Sequence, residues 1–105
     1  MKRFPRAAAV FQELVDERGK QLRALDYDRL ALAGQQPVEH VTVESRPATI
    51  GIIVDRQPDG SLRVVVQGFL KGRWMPGSHV ALDGFYKRPD GAIAPLEAKD
   101  EYAFG

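Results

Sequence analysis

The feature that most constrains the fold is a pair of β-branched runs joined by a turn-forming tripeptide. The runs occupy residues 49–70, TIGIIVDRQPDGSLRVVVQGFL, and Pro58-Asp59-Gly60 separates them. Pro58 fixes φ at the first corner of a turn, Asp59 can accept a backbone hydrogen bond, and Gly60 tolerates a positive φ. Runs rich in Val and Ile on both sides of such a tripeptide predict an antiparallel β-hairpin.

Side chains of a strand alternate between the two faces of a sheet, which sorts the residues of this hairpin. The apolar face carries Ile50, Ile52, Val54, Leu62, Val64, Val66 and Leu70. The other face is mixed and carries Thr49, Ile53, Asp55, Arg63, Val65, Gln67 and Phe69. A sheet with one face in water normally alternates more cleanly. We therefore expect either a sheet that curls on itself or a second face that another molecule covers.

Before the hairpin, residues 5–26 have the apolar spacing of an amphipathic helix with one buried stripe. Arg18 falls inside that stripe, and two interpretations stay open. Its stem can lie along apolar surface while the guanidinium reaches water, or the guanidinium can bind a carboxylate of the sheet. Gly19 beside it either permits close packing or weakens the helix. A short helical segment, 28–33, follows, with an Asp cap at its start and Gly34 at its end.

Further strands are expected on both sides of the hairpin. Residues 38–44 alternate, and 45–47 should turn the chain into the hairpin. After it, residues 79–87 form a strand, with Val80, Leu82 and Tyr86 expected toward the helix and Ala81, Asp83 and Phe85 on the mixed face. A second Pro-Asp-Gly, at 89–91, predicts a short strand over 92–96. Tyr102 and Phe104 are expected to anchor the tail to the body.

The predicted fold is a single α+β domain over residues 1–105, with an N-terminal amphipathic helix packed on a four- to five-stranded antiparallel meander within residues 38–104. A small β-barrel with the helix as a plug is the alternative, because the second face is only half polar. Gly68 and Gly84 interrupt rows of larger residues, where they could admit the helix or mark bulges.

Composition excludes several classes of protein. The chain has no Cys, which removes disulfide scaffolds and cysteine nucleophiles, and its net charge of +1 gives no argument for a nucleic-acid partner. No apolar run is long enough to span a bilayer or to act as a signal peptide, so a cytoplasmic protein with no membrane partner is expected. No cofactor is expected.

Candidate chemistry is sparse, and we expect a protein that is not an enzyme. His40 and His79 lie far apart in the sequence with no ligand-rich motif around either, so no metal site is predicted. Ser78 adjoins His79, but neighbours in a strand point apart. Asp55 and Asp83 could meet as an acid–base pair, although pairing with cations across the sheet is the more ordinary role for both.

Binding has more support, and it centres on the loop after the hairpin. The candidate binding residues are Lys71, Arg73, Trp74, Met75 and His79. Trp, Arg and Met are enriched at recognition surfaces, although Trp74 could instead close one end of the core. A nucleic-acid interface would stack bases on Phe69, Trp74, Phe85 and Tyr86. Because Phe85 and Tyr86 point to opposite faces, these four residues cannot form one platform.

The function that fits best is a small non-catalytic protein-interaction module. It is expected to associate with itself as a homodimer, or with another protein, through the apolar residues of the mixed face, Ile53, Val65, Phe69 and Phe85. The alternative is a ligand-binding or enzymatic domain whose pocket lies between helix and sheet, with Arg18, Asp83 or His79 as its polar group. Nucleic-acid binding ranks third.

Overall fold

The structure is a computed structural model that describes residues 3–72 and 78–96. Two helices precede a sheet in the order α1 (Arg3–Arg23), α2 (Tyr27–Ala33), β1 (Glu39–Val43), β2 (Arg46–Arg56), β3 (Leu62–Lys71), β4 (Ser78–Lys87) and β5 (Ile93–Pro95). The strands lie side by side in sequence order, and every neighbouring pair is antiparallel. The predicted α+β meander is confirmed. The sheet is open, so the barrel alternative is wrong.

Helix α1 covers one face of this sheet, and we call that side the helix face. The core residues there come from both layers: Ala7, Phe11, Val15, Leu22, Ile50, Val64, Val66, Leu70, Ala81 and Phe85. Gly68 lets the layers approach, because a Cβ there would lie 2.5 Å from Cζ of Phe11 and 2.9 Å from Cγ2 of Val15. Of the two roles left open for Gly68, this close approach favours that of admitting the helix.

The second helix closes the same layer over β2. Asp26 caps it as predicted, because its Oδ1 accepts a hydrogen bond from the backbone N–H of Arg29 at 2.8 Å. Leu30 and Ala33 are buried. The hydroxyl of Tyr27 donates to the carbonyl of Gly60, which ties the start of α2 to the β2–β3 turn.

Both Pro-Asp-Gly segments form the predicted hairpin turns, and they do so in the same way. The N–H of Gly60 donates to the carbonyl of Gln57 at 2.9 Å, and the N–H of Gly91 donates to that of Arg88 at 2.8 Å. Both glycines have positive φ, 89° and 95°. These are the features of a three-residue hairpin loop built on a type I turn.

The face assignment of β4 differs from the prediction. The register of β4 on β3 sets Phe85 opposite Val64 and Ala81 opposite Gly68, so the odd-numbered residues of β4 lie on the helix face. The prediction that Val80, Leu82 and Tyr86 face the helix is wrong, and Gly84 lies away from it too. Alternation fixes which residues share a face, but the β3–β4 register decides which face that is.

Candidate functional site

The candidate site is the side of the sheet away from α1, which we call the open face. Because directly opposite residues of antiparallel strands share a face, the register identifies its members. Across the three central strands they include Thr49, Ile53, Asp55, Arg63, Val65, Gln67, Phe69, Val80, Leu82 and Tyr86. No described helix covers these residues, whereas α1 and α2 pack against the opposite side.

Two large apolar side chains meet on this surface near the end of β3 and the start of β4. Phe69 on β3 and Val80 on β4 are direct cross-strand partners, and they are 40% and 45% exposed. Ile53 and Leu82 on the same face are half-buried. Val38 is exposed beside Gly51, with its Cγ2 3.7 Å from the position a Cβ would take there. Together Val38, Ile53, Phe69, Val80 and Leu82 form what we call the apolar patch.

Of the four predicted interface residues, the structure brings three to the open face. Ile53 and Val65 are cross-strand partners there, and Phe69 lies further along β3. Val65 is fully buried, since Leu96 lies over Gly84, its partner on β4. Phe85 is the exception: it is buried on the helix face, so its predicted place on the mixed face is wrong.

Sequence reasoning missed Val80 and Leu82, which lie in the apolar patch in place of Phe85. The prediction placed Val80 and Leu82 correctly on one side of β4, but it assigned that side to the helix face instead of the open face. The pair Asp83 and Lys87 explains the error, because both residues lie on the helix face together with Phe85. Two charged residues on that side made it resemble the more polar face.

The predicted binding residues of the β3–β4 loop do not converge among the described residues. Lys71 is exposed at the end of β3 on the open face, whereas His79 is half-buried and lies opposite Leu70 on the helix face. Arg73, Trp74 and Met75 lie outside the described residues. The expected anchors Tyr102 and Phe104 lie outside them too.

The carboxylates that could have formed an acid–base pair are separated by the sheet. Asp55 lies on the open face and accepts a hydrogen bond at 3.3 Å from Nη2 of Arg63, its cross-strand partner. Asp83 lies on the helix face and binds Arg23. Both carboxylates therefore have the ordinary role of pairing with a cation, and the arrangement provides no catalytic dyad.

Arg18 is held by the sheet. Its Nε and Nη2 donate to the two carboxylate oxygens of Glu39 at 2.9 and 2.7 Å, a bidentate pair that joins α1 to β1. The hydrogen bonds from Arg18 lower the pKa of Glu39, and those same bonds raise the pKa of Arg18. Of the two open interpretations of Arg18, the structure selects the second.

The space between helix and sheet is filled with side chains. Phe11 and Val15 contact the backbone of β3 at Gly68, and the residues around them are fully buried. Among the described residues, no group of three His, Asp or Glu side chains could hold a metal ion. Within the same ranges, neither helix combines the length and apolar character needed to cross a bilayer.

Comparison of the chain with protein-family models, with curated proteins and with solved structures finds no match. What the chain does must therefore be argued from its own surface.

Proposed function

We propose that this chain is a non-catalytic interaction module of the cytoplasm that pairs with a second copy of itself through the open face. The observation that carries the proposal is the exposed pair of Phe69 and Val80 on a sheet face over which no described helix lies. Contiguous apolar side chains on such a face favour contact with a partner over contact with water.

A second copy suits this surface because the face is a regular layer with charges at its two ends. Two such faces can pack about 10 Å apart, as in a β-sandwich. A two-fold axis through Gln67, near the middle of β3, would bring Lys71 of one copy to the level of Asp55 of the other. At that level Lys71 meets the Asp55–Arg63 ion pair, whose carboxylate is 46% exposed and can accept a further hydrogen bond from the lysine.

The size of the face sets the expected strength of the dimer. Four inter-strand spacings of about 4.8 Å and strands of about eight residues give roughly 500 Å² per copy. The total of about 1,000 Å² is at the lower limit for specific interfaces. We therefore expect a weak, reversible dimer with a dissociation constant of roughly 1–100 μM.

Sedimentation analysis over a series of protein concentrations tests this proposal. The wild-type chain should shift from monomer to dimer as concentration rises, and Phe69→Glu should remain a monomer, because each copy would bury a charge without a partner. Leu32→Glu is the matched control. Leu32 is 59% exposed on α2, away from the open face, so this variant should dimerise like the wild type.

The result that would overturn the proposal is a wild-type chain that stays monomeric at about 1 mM, well above the expected dissociation constant. A Phe69→Glu variant that dimerises as well as Leu32→Glu would place the interface elsewhere. Thermal unfolding by circular dichroism should show that both variants are folded, so that loss of dimer reports on the surface.

A further inference from the structure

A cleft lies at the end of the sheet where the two Pro-Asp-Gly turns approach each other. One wall comes from the β2–β3 turn, with Gln57, Pro58 and Asp59, and the other from the ends of β4 and β5, with Arg88 and Ala94. Its volume is about 410 Å³. That is enough for a small organic molecule, since ligand pockets start at about 300 Å³.

The walls of the cleft are fixed by hydrogen bonds inside each turn. The backbone N–H of Ser61 donates to Oδ1 of Asp59, and that of Ala92 donates to Oδ1 of Asp90, both at 2.9 Å. The turns also face each other closely, because a Cβ on Gly60 would lie 3.5 Å from Cγ of Pro89. A ligand would therefore meet a preformed site.

The two charged side chains of the cleft, Asp59 and Arg88, differ in the contacts that they already make. Asp59 is held by the backbone and side chain of Ser61, and these hydrogen bonds lower its pKa. The guanidinium of Arg88 is exposed, and its charge also helps to lower the pKa of Asp59. Among the described residues it makes no ion pair or side-chain hydrogen bond. It therefore offers a planar set of donors at the mouth of the cleft.

We infer that this cleft binds small monocarboxylates, with the carboxylate on Arg88 and an apolar body against Pro58, Ala94 and the ring of Tyr86. A guanidinium pairs with a carboxylate through two parallel hydrogen bonds. The Asp59 charge in the same cleft repels every anion, and it repels one with two negative charges more strongly, so phosphate and dicarboxylates are disfavoured relative to monocarboxylates. The site lies about 20 Å along β3 from Phe69, although Tyr86 belongs to the open face as well. The titration below is therefore run on Phe69→Glu as well as on the wild type, which separates binding from self-association.

Titration of the ¹⁵N-labelled protein with sodium benzoate tests the inference. We expect saturable shifts of the amide signals of Gln57, Ser61 and Ala94, with a dissociation constant on the order of 1 mM. Benzamide, which has the same shape without the charge, should bind at least about tenfold more weakly, and so should inorganic phosphate.

Arg88→Gln should weaken benzoate binding at least about tenfold, because it removes the charge-assisted hydrogen bonds. Lys20→Gln is the matched control: it removes an exposed cation of α1, on the other side of the sheet, and should leave binding unchanged. The inference is overturned if benzoate causes no saturable shifts at the cleft, if Arg88→Gln binds it as well as the wild type, or if benzamide or phosphate binds equally tightly.

Discussion

Arg23, at the end of α1, binds both carboxylate oxygens of Asp83 on β4. Nη1 donates to Oδ2 at 2.7 Å and Nη2 to Oδ1 at 3.2 Å. Nη2 also donates to the carbonyl of Gly84 at 3.1 Å, and the guanidinium lies 4.7 Å from the ring centre of Phe85. Nζ of Lys87 donates to the carbonyl of Arg23 at 3.4 Å. These contacts fix the end of the helix to the strand.

The Arg23–Asp83 ion pair predicts that Gly19→Ala lowers the stability of the fold. In an exposed helix Ala would be favoured by about 1 kcal/mol, but here its Cβ would overlap Oδ2 of Asp83 and force the carboxylate away from Arg23. Charge-assisted hydrogen bonds contribute about 1.5–3 kcal/mol, so their loss should outweigh the helix gain and leave a net destabilisation of about 1 kcal/mol.

The effect of Gly19→Ala on the free energy of unfolding should change sign in an Asp83→Ala background. There the new Cβ displaces no carboxylate, so Gly19→Ala should stabilise the fold by up to about 1 kcal/mol. Urea unfolding of the four proteins in this cycle gives both values. A destabilisation by Gly19→Ala that is the same in both backgrounds would show that Asp83 is not what Gly19 accommodates.

The parts of the fold that were predictable are those encoded locally. Pro58-Asp59-Gly60 specifies a turn with its own hydrogen bonds, and alternation then fixes the faces of β2 and β3. The cap at Asp26 is local in the same sense. No local signal sets the register of β4 on β3 across residues 72–77. Because β4 has apolar residues on both of its sides, the sequence could not show which side, and therefore whether Phe85, faces the helix.

The candidate site was harder to predict than the fold, because its members meet only in three dimensions. That Arg18 binds Glu39 was one of two open interpretations, and choosing it requires knowing where β1 lies. The cleft joins two turns that were each recognisable, at 58–60 and 89–91, but their approach depends on the β3–β4 register.

The Arg18–Glu39 pair predicts a pH-dependent coupling. The pKa of Glu39 is lowered in the folded state, so its contribution is present above the unfolded value of about 4.3 and is lost as pH falls through the folded value. Since Glu39 is well exposed, the coupling should be only about 0.5–1 kcal/mol.

A double-mutant cycle of Arg18→Gln and Glu39→Gln measures this coupling by denaturant unfolding. It should be present near pH 7 and decrease as the pH is lowered from the unfolded value through the lowered folded pKa of Glu39. The raised pKa of Arg18 places its own titration above that range. A coupling that keeps the same size across the acid range until the protein unfolds would contradict the charge-based account.

The β1–β2 connection predicts a stabilising substitution. The bend lies at Glu44 and Ser45, whose φ values of 49° and 65° are positive, and Arg46 already begins β2. The expected turn at residues 45–47 is therefore shifted by one residue. Two successive positive φ values are the geometry of a type I′ turn, which favours Asn-Gly.

Ser45→Gly should therefore stabilise the fold by about 0.5–1 kcal/mol, measured as an upward shift of the denaturation midpoint. Thr42→Gly is the matched control at an exposed position of β1. Glycine loses more backbone entropy than Thr when the strand forms, so this variant should be less stable than the wild type. If Ser45→Gly lowers stability as Thr42→Gly does, Ser45 does not have a left-handed backbone in solution.

The assignment of the two faces predicts opposite responses from two strand glycines. A Cβ at Gly68 would overlap Phe11 and Val15 on the helix face, so Gly68→Ala should destabilise by about 1–3 kcal/mol through overpacking.

A Cβ at Gly51 would approach only Cγ2 of Val38 at 3.7 Å and the carbonyl oxygen of Gln67 at 4.0 Å, which is ordinary contact. Gly51→Ala should therefore be neutral or stabilise by about 0.5 kcal/mol, because Ala restricts the unfolded chain. Paired urea unfolding of the two variants checks the assignment, and equal losses of stability would mean that α1 does not rest on β3 at Gly68.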